Sequence, residues 1–107
     1  NIVNENNFSV EDSIIILRTF LNKTKKLLHL SKEYQRNNDL NETISKAKPP
    51  IFWKEKDIVK RQIQNWRPDK IKKLILDINE IELLIKKNSY NPINMTLNFI
   101  FEQSIKN

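Results

Sequence analysis

Apolar residues recur along the first third of the chain at alternating spacings of four and three residues. Residues spaced in this way lie on one face of an α-helix. Ser9 precedes the series and is a suitable N-cap, so the pattern predicts one amphipathic helix of about 27 residues. Its buried face is expected to comprise Val10, Ile14, Leu17, Leu21, Thr24, Leu28 and Ser31. The opposite face is polar and carries Arg18, Asn22, Lys25 and Lys32.

A capping pattern predicts the start of a second helix, and prolines predict its end. Asp39 is followed three residues later by Glu42, an arrangement typical of a helix start. Pro49 and Pro50 end this short helix, because proline lacks an amide hydrogen and disfavours helical backbone in the residue before it. The apolar residues 51–53 follow directly, and we interpret them as a plug that packs against the helices.

Three further helices follow, and prolines mark two of their starts. The third helix ends near Trp66, while Pro68 and Pro92 stand at first helical positions, where proline is favoured. The fourth helix is expected to bury Ile71, Leu74, Ile75, Ile78, Ile81, Leu84 and Ile85. The fifth helix is expected to bury Ile93, Leu97, Ile100, Phe101 and Ile105.

The helical patterns together predict an all-α fold, a five-helix bundle. No segment shows sustained alternation of apolar and polar residues, which would indicate strands. The length of 107 residues suits one domain, which we place at residues 9–107. Residues 1–8 are rich in asparagine and are interpreted as a frayed end or the remnant of a preceding linker.

The composition excludes several classes of site. The chain has no glycine, which dinucleotide fingerprints and P-loops need for close approach of backbone to phosphate, so no cofactor is expected. It also has no cysteine, which removes disulfides and thiolate metal sites. The longest unbroken apolar run, Ile14 to Leu17, is far shorter than the roughly 20 residues of a membrane span, so no membrane partner is expected.

The remaining titratable residues do not form a catalytic pattern. His29, the single histidine, lies near the edge of the first helix's apolar face, where a structural role is expected. Asp77, Glu80 and Glu82 all fall on one helix, whereas paired catalytic carboxylates must converge from two sides of a cleft. We therefore expect a domain without catalytic residues and without a metal site.

Positive charge is concentrated in the middle of the sequence. Residues 49–73 contain eight basic and three acidic side chains, with Trp53 and Trp66 interleaved. Basic residues with aromatics bind phosphates and stack on bases, which makes a helical nucleic-acid-binding module one alternative. Trp66 continues the apolar series of its helix and is expected in the core, whereas Trp53 fits either packing or stacking. The basic residues are Lys54, Lys56, Lys60, Arg61, Arg67, Lys70, Lys72 and Lys73.

A second explanation for the lysines is compositional. Asn, Ile and Lys, which have AT-rich codons, occur 15, 16 and 15 times, so we infer an AT-rich coding sequence. The net charge of +6 therefore has two explanations: it attracts nucleic acid, or codon bias has accumulated lysines on a solvated surface where they have no function.

One ordered combination of motifs resembles a known family. The stretch Lys48-Pro49-Pro50-Ile51-Phe52-Trp53-Lys54 precedes a basic helix that ends at Trp66, and a leucine-rich helix containing Glu82 and Lys86 follows. This order resembles the C-terminal domain of the delta subunits of the bacterial DNA polymerase III clamp loader. The resemblance is clearest between Ile44 and Lys87, and the first and last helices fit by length and position.

The resemblance implies an assembly role. In that family, the third part of the delta subunit is a non-catalytic five-helix collar domain. It packs against the tau/gamma and delta-prime subunits in a cytoplasmic pentamer that loads the sliding clamp during replication. The rest of the parent chain and complex contacts the sliding clamp and primed DNA. The parent subunit belongs to the DNA polymerase III holoenzyme, a DNA-directed DNA polymerase and thus a nucleotidyltransferase. The matching residues listed above would mainly serve structure or the subunit interface.

Overall fold

The computed structural model describes the backbone of residues 2–87 and 91–106, and side chains within residues 10–87 and 91–103. These parts of the chain form five α-helices and one short 3-10 helix, without any strand. The predicted all-α class and the number of helices are confirmed. The helices are α1 (Ile2–Asn37), α2 (Leu40–Ser45), the 3-10 helix (Trp53–Glu55), α3 (Lys56–Asn65), α4 (Pro68–Lys87) and α5 (Pro92–Lys106).

Most of the predicted helix starts are confirmed. Pro68 and Pro92 are the first residues of α4 and α5. Asp39 is the N-cap of α2, and its Oδ1 accepts a hydrogen bond from the Glu42 amide at 3.0 Å. The capping box is only half formed, because the Asp39 amide donates to Asn37 Oδ1 at 2.8 Å.

The predicted start of the first helix is wrong. Helix α1 begins at Ile2 and runs for 36 residues, so Ser9 lies inside it and does not cap it. Residues 2–8 contain neither proline nor glycine, and nothing in their backbone chemistry ends a helix there. The segment expected to be a frayed end or linker remnant therefore continues α1 as far as Ile2.

Two asparagines occupy the backbone conformation that glycine usually provides. Asn38 has φ 55° and Asn91 has φ 53°. Asn38 follows the last residue of α1, and its amide donates to the Tyr34 carbonyl oxygen at 2.7 Å. Asparagine tolerates left-handed backbone better than other residues with a Cβ. A chain without glycine can therefore still end α1 with a left-handed residue.

The predicted amphipathic face of α1 is confirmed at its centre. Leu17, Thr24 and Ser31, each seven residues from the next, are all buried. The other members of the face are partly buried, and the four polar residues expected on the opposite face are exposed. Two of these central positions are small hydroxyl residues, and one of them, Ser31, bonds to backbone at the end of α3.

The structure divides into two compact units, which we call the terminal unit (Asn1–Asn22 with Ile75–Asn107) and the middle unit (Lys23–Leu74). In the terminal unit, Phe20 of α1 and Phe99 of α5 meet edge to face, with ring centroids 6.4 Å apart. Buried Thr96 satisfies its hydroxyl by donating to the Pro92 carbonyl oxygen of its own helix at 2.8 Å. The described buried side chains of this unit are Ser13, Leu17, Ile78, Ile85, Thr96 and Gln103, with Pro92.

In the middle unit, α2 contacts α3, and a polar bond joins α1 to the end of α3. The Ser31 hydroxyl donates to the Trp66 carbonyl oxygen at 3.3 Å. Thr43 is buried, and its single hydroxyl hydrogen is shared between two acceptors, the Asp39 carbonyl oxygen at 2.9 Å and Asn37 Oδ1 at 3.2 Å. The buried apolar side chains are Ile44, Ile63, Ile71 and Leu74, with Pro68.

Several residues expected to be buried lie at the surface. Leu84 is 51% exposed, Leu97 is 52% exposed and Phe101 is 65% exposed, so these three predictions are wrong. Helix α4 is apolar on several sides and cannot bury all of them, while α5 buries the polar Thr96 and Gln103 instead. Ile105 lies outside the described side chains.

The residues around the double proline also differ from expectation. Phe52 and Trp53 are 55% and 69% exposed, so they do not form a buried plug in this chain. Trp66, predicted to lie in the core, is half-buried at the C-cap of α3.

Within the described helices, none is both long and apolar enough to cross a lipid bilayer.

Candidate interaction surfaces

Phe52, Trp53 and Lys54 form an exposed cluster that we call the aromatic turn. The two rings are tilted by 52° with centroids 5.9 Å apart, and Lys54 Nζ lies 5.4 Å from the centroid of a Trp53 ring. The Glu55 amide donates to the Phe52 carbonyl oxygen at 2.8 Å, which fixes the backbone of the turn. A cation beside an indole and an adjacent benzene ring offers a surface that can bind apolar, aromatic or anionic groups.

The residues that lead into the aromatic turn are exposed as well. Pro49 and Pro50 lie at the surface, and Ile51 is half-buried. The Lys48–Pro49 peptide bond is cis. Trp66, a later residue of the same motif, makes hydrogen bonds through both of its backbone polar groups. Its amide donates to the Gln62 carbonyl oxygen at 2.9 Å, and its carbonyl oxygen accepts from the Ser31 hydroxyl.

Glu82 and Lys86, the remaining motif residues, belong to an ion-pair network in the terminal unit. Lys86 Nζ lies 3.4 Å from Glu82 Oε2, and Arg18 Nε lies 3.2 Å from Glu82 Oε1. Burial acts to raise the pKa of Glu82, but the hydrogen bonds from Arg18 and Lys86 outweigh it and lower the pKa below its ordinary value. Glu82 therefore links α1 to α4 within the terminal unit, while Lys86 remains exposed.

The predicted nucleic-acid contacts are mostly accessible and all lie in the middle unit. Among the residues singled out, only Lys60 is half-buried. The exposed ones are Lys56, Arg61, Arg67, Lys70 and Lys73. They all follow the aromatic turn in sequence, on α3, at Arg67 between the two helices and in the first part of α4. The surface of this unit therefore presents cations together with an exposed tryptophan.

The charge of the whole chain is divided unequally between the two units. The middle unit contains fifteen basic and six acidic residues, a net charge of +9. The terminal unit contains four basic and seven acidic residues, a net charge of −3. Sequence analysis missed this separation because the terminal unit joins the first and last parts of the chain, which a running count of charge keeps apart.

The terminal unit exposes large apolar side chains on two helices. On α5, Leu97 and Phe101 are four residues apart and form what we call the α5 ridge. On α4, three leucines are at least half exposed on the side of the helix away from Ile78 and Ile85. These leucines are Leu76, Leu83 and Leu84.

His29 is exposed on α1, as a histidine near the edge of the apolar face would be. In the part of the chain that the structure describes, no group of three or more histidine, aspartate or glutamate side chains is placed to hold a metal ion.

Comparison with protein families, with curated proteins and with solved structures finds no significant match to this chain.

Proposed function

We propose that this chain is an assembly domain, the C-terminal collar domain of a delta subunit of the DNA polymerase III clamp loader. In this role it packs against the tau/gamma and delta-prime subunits and helps to hold together the pentamer that loads the sliding clamp. The order of motifs from Lys48 to Lys86 supports the family, and the surface of the domain supports a role in binding other proteins.

The observation that carries the proposal is the amount of large apolar surface left exposed. Within the described side chains, nine large apolar residues are between 50% and 69% exposed. Single exposed apolar residues are ordinary, but groups of them on one protein usually mark interfaces, and interface cores are enriched in aromatics. The nine are Ile15, Phe52, Trp53, Ile58, Leu76, Leu83, Leu84, Leu97 and Phe101.

Helix α5 gives the clearest local support for a missing partner. It turns the aromatic ring of Phe101 and the side chain of Leu97 outward while it buries Thr96 and Gln103. Burial of polar side chains contributes less to stability than burial of apolar ones, so folding of this chain alone does not account for the arrangement. A partner seated on the α5 ridge would remove the two apolar side chains from water.

The proposal is tested by measuring binding of the chain to purified tau/gamma and delta-prime subunits by calorimetry. We expect micromolar or tighter binding, weakened at least about tenfold by Phe101→Asp, because a buried aromatic at an interface is commonly a dominant contact. Asn98→Asp is the matched control, since it places the same charge at an exposed position of α5 without removing an apolar side chain. Absence of binding by the unmodified chain at micromolar concentration contradicts the proposal.

A second candidate function is binding of nucleic acid by the middle unit. The exposed indole of Trp53, with Lys54 beside it and a net charge of +9 in the surrounding unit, favours this alternative. Aromatic stacking and phosphate contacts by lysine and arginine are the usual means by which proteins hold single strands.

This alternative is tested by titrating primed or single-stranded DNA at several salt concentrations. Binding through the middle unit predicts an affinity that falls steeply with salt and is weakened when Lys60 and Arg61 are both changed to glutamate. Lys87→Glu combined with Asn79→Asp and Asn98→Asp is the matched control, because it makes the same total change of charge at exposed positions of the terminal unit and leaves the Glu82 ion pairs in place. A flat titration at low salt eliminates this candidate and leaves the assembly role unaffected.

A further inference from the structure

The outward face of α4 carries a compact apolar strip with an acid inside it. Leu76, Glu80, Leu83 and Leu84 are related as i, i+4, i+7 and i+8, so their side chains are neighbours on one face of the helix. The three leucines are 62%, 55% and 51% exposed. Glu80 is exposed, and no cation in the described part of the chain lies within ion-pair distance of it. We call these four residues the leucine strip.

The middle unit carries side chains of matching character. Phe52 and Trp53 are exposed, and on α3 the half-exposed Ile58 stands three residues before the exposed Arg61. Among the described residues, no carboxylate pairs with Arg61. Helix α3 contacts the 3-10 helix that begins at Trp53, and we call these four residues together the basic aromatic face. They combine apolar groups with a guanidinium group, whereas the leucine strip combines apolar groups with a carboxylate.

The net charges favour contact between unlike units of two molecules. Two middle units, at +9 each, repel one another, and two terminal units, at −3 each, also repel. A terminal unit and a middle unit attract one another. Charge complementarity of this kind selects orientation and partner even where it adds modestly to affinity.

We infer that the leucine strip of one molecule binds the basic aromatic face of a second copy of this chain, so that the chain self-associates head to tail. The inference rests on the exposed side chains and on the division of charge, and it does not depend on the clamp-loader proposal. The contacting residues are few, which places the contact among weak interfaces. Association is therefore expected at high protein concentration. Its salt dependence is a balance, because salt screens both the attraction between unlike units and the repulsion between two chains of net charge +6.

Sedimentation equilibrium of the purified chain, over a range of concentration and salt, tests the inference with two single variants. Leu83→Asp removes the centre of the strip, and Trp53→Asp removes the centre of the face. Each is expected to reduce the self-association constant at least about tenfold. Both side chains are more than half exposed, so neither change removes core packing. Ile15→Asp is the matched control, because Ile15 is 62% exposed on a helix but belongs to neither surface.

Mixing the two variants identifies the geometry of the contact. A head-to-tail contact needs one intact strip and one intact face, so an equal mixture of Leu83→Asp and Trp53→Asp chains regains association as 1:1 dimers that do not grow further. The unmodified chain retains both surfaces on each molecule, so its assemblies are not limited to a single strip-to-face contact and form either closed rings or growing chains.

Three results overturn the inference. The first is a monomer at every concentration tested. The second is association that only one of the two variants weakens, which indicates a symmetric contact through a single surface. The third is association that disappears after nuclease treatment, which shows that nucleic acid bridges the molecules through their middle units.

Discussion

Arg18 and Glu82 are 64 residues apart in the sequence and form an ion pair in the terminal unit, with Nε and Oε1 3.2 Å apart. The pair joins α1 to α4. Glu82 is only 20% exposed in its side chain, and Lys86, one turn further along α4, reaches its second carboxylate oxygen. One carboxylate thus satisfies two cations and links two helices of the unit.

This network predicts a pH dependence of stability. The pKa of Glu82 is lowered in the folded chain, because the hydrogen bonds from Arg18 and Lys86 outweigh the effect of burial. A lowered pKa stabilises the fold above the ordinary value of 4.5, and this contribution is lost as the pH falls through the folded value. Above pH 5.5 or so, Glu82→Gln is expected to lower the free energy of unfolding by a few tenths to about 1 kcal/mol, since Arg18 is largely exposed.

The control for this experiment is Glu80→Gln on the same helix. Glu80 is exposed and has no ion-pair partner among the described residues, so its loss is expected to change stability little. Urea denaturation of the three proteins between pH 3 and pH 7 measures the difference. If Glu82→Gln costs as much at pH 3 as at pH 7, the ion pairs do not stabilise the terminal unit as described.

A matched pair of leucines on α4 tests which side of that helix is buried. Leu74 is 5% exposed and Leu76 is 62% exposed, although they are only two residues apart. Leu74→Ala is expected to lower the free energy of unfolding by about 2–4 kcal/mol, from lost burial and the remaining cavity. Leu76→Ala is expected to change it by less than about 0.5 kcal/mol. Equal losses for the two variants, measured by chemical denaturation, would place the buried face of α4 elsewhere.

The local features of this fold were predictable because local chemistry determines them. Asp39 caps α2 through its own carboxylate, and Pro68 and Pro92 begin helices because a first helical position needs no amide hydrogen. The heptad spacing of Leu17, Thr24 and Ser31 was sufficient to identify the buried face of α1.

The outward faces were not predictable, because they depend on tertiary packing. Helix α4 is apolar on several sides, and periodicity alone could not show that Leu84 lies outside the buried face. Helix α5 buries Thr96 at no cost in hydrogen bonding, since its hydroxyl donates to the Pro92 carbonyl oxygen of the same helix. The ion pair of Arg18 with Glu82 likewise forms only when α1 and α4 are already packed.

The N-cap of α2 should respond to the loss of its acceptor. Asp39 Oδ1 accepts from the Glu42 amide at 3.0 Å, so Asp39→Ala leaves that amide without its partner. We expect a loss of about 1 kcal/mol in the free energy of unfolding, within the usual range for N-cap substitutions. Asp39→Asn keeps an acceptor oxygen and is expected to retain most of the stability. Equal losses for both variants, measured by thermal denaturation, would show that the cap contributes nothing specific.

The left-handed residue after α1 gives a backbone test. Asn38 has φ 55°, which glycine adopts freely and a β-branched residue adopts only with strain. Asn38→Gly is expected to leave stability nearly unchanged, while Asn38→Val is expected to lower it by about 1–2 kcal/mol. The control is Gln35→Val, because Gln35 is exposed and lies within the helical backbone of α1, which ends at Asn37. If the two valine substitutions lower the free energy of unfolding equally, Asn38 does not have the left-handed backbone described.

The two tryptophans provide an optical test of the aromatic turn. Trp53 is 69% exposed, whereas Trp66 is half-buried beside the Ser31 hydroxyl. The Trp66→Phe variant therefore reports Trp53 alone, and its emission is expected at longer wavelength and to be quenched more strongly by acrylamide than that of Trp53→Phe. Iodide is expected to quench Trp53 more effectively at low salt than at high salt, because Lys54 beside the ring attracts the anion and salt screens this attraction. Lys54→Gln should reduce the iodide effect while leaving quenching by neutral acrylamide unchanged. Equal accessibility of the two indoles would show that Trp53 is covered in the free chain, which would remove the aromatic turn from every binding role argued for it.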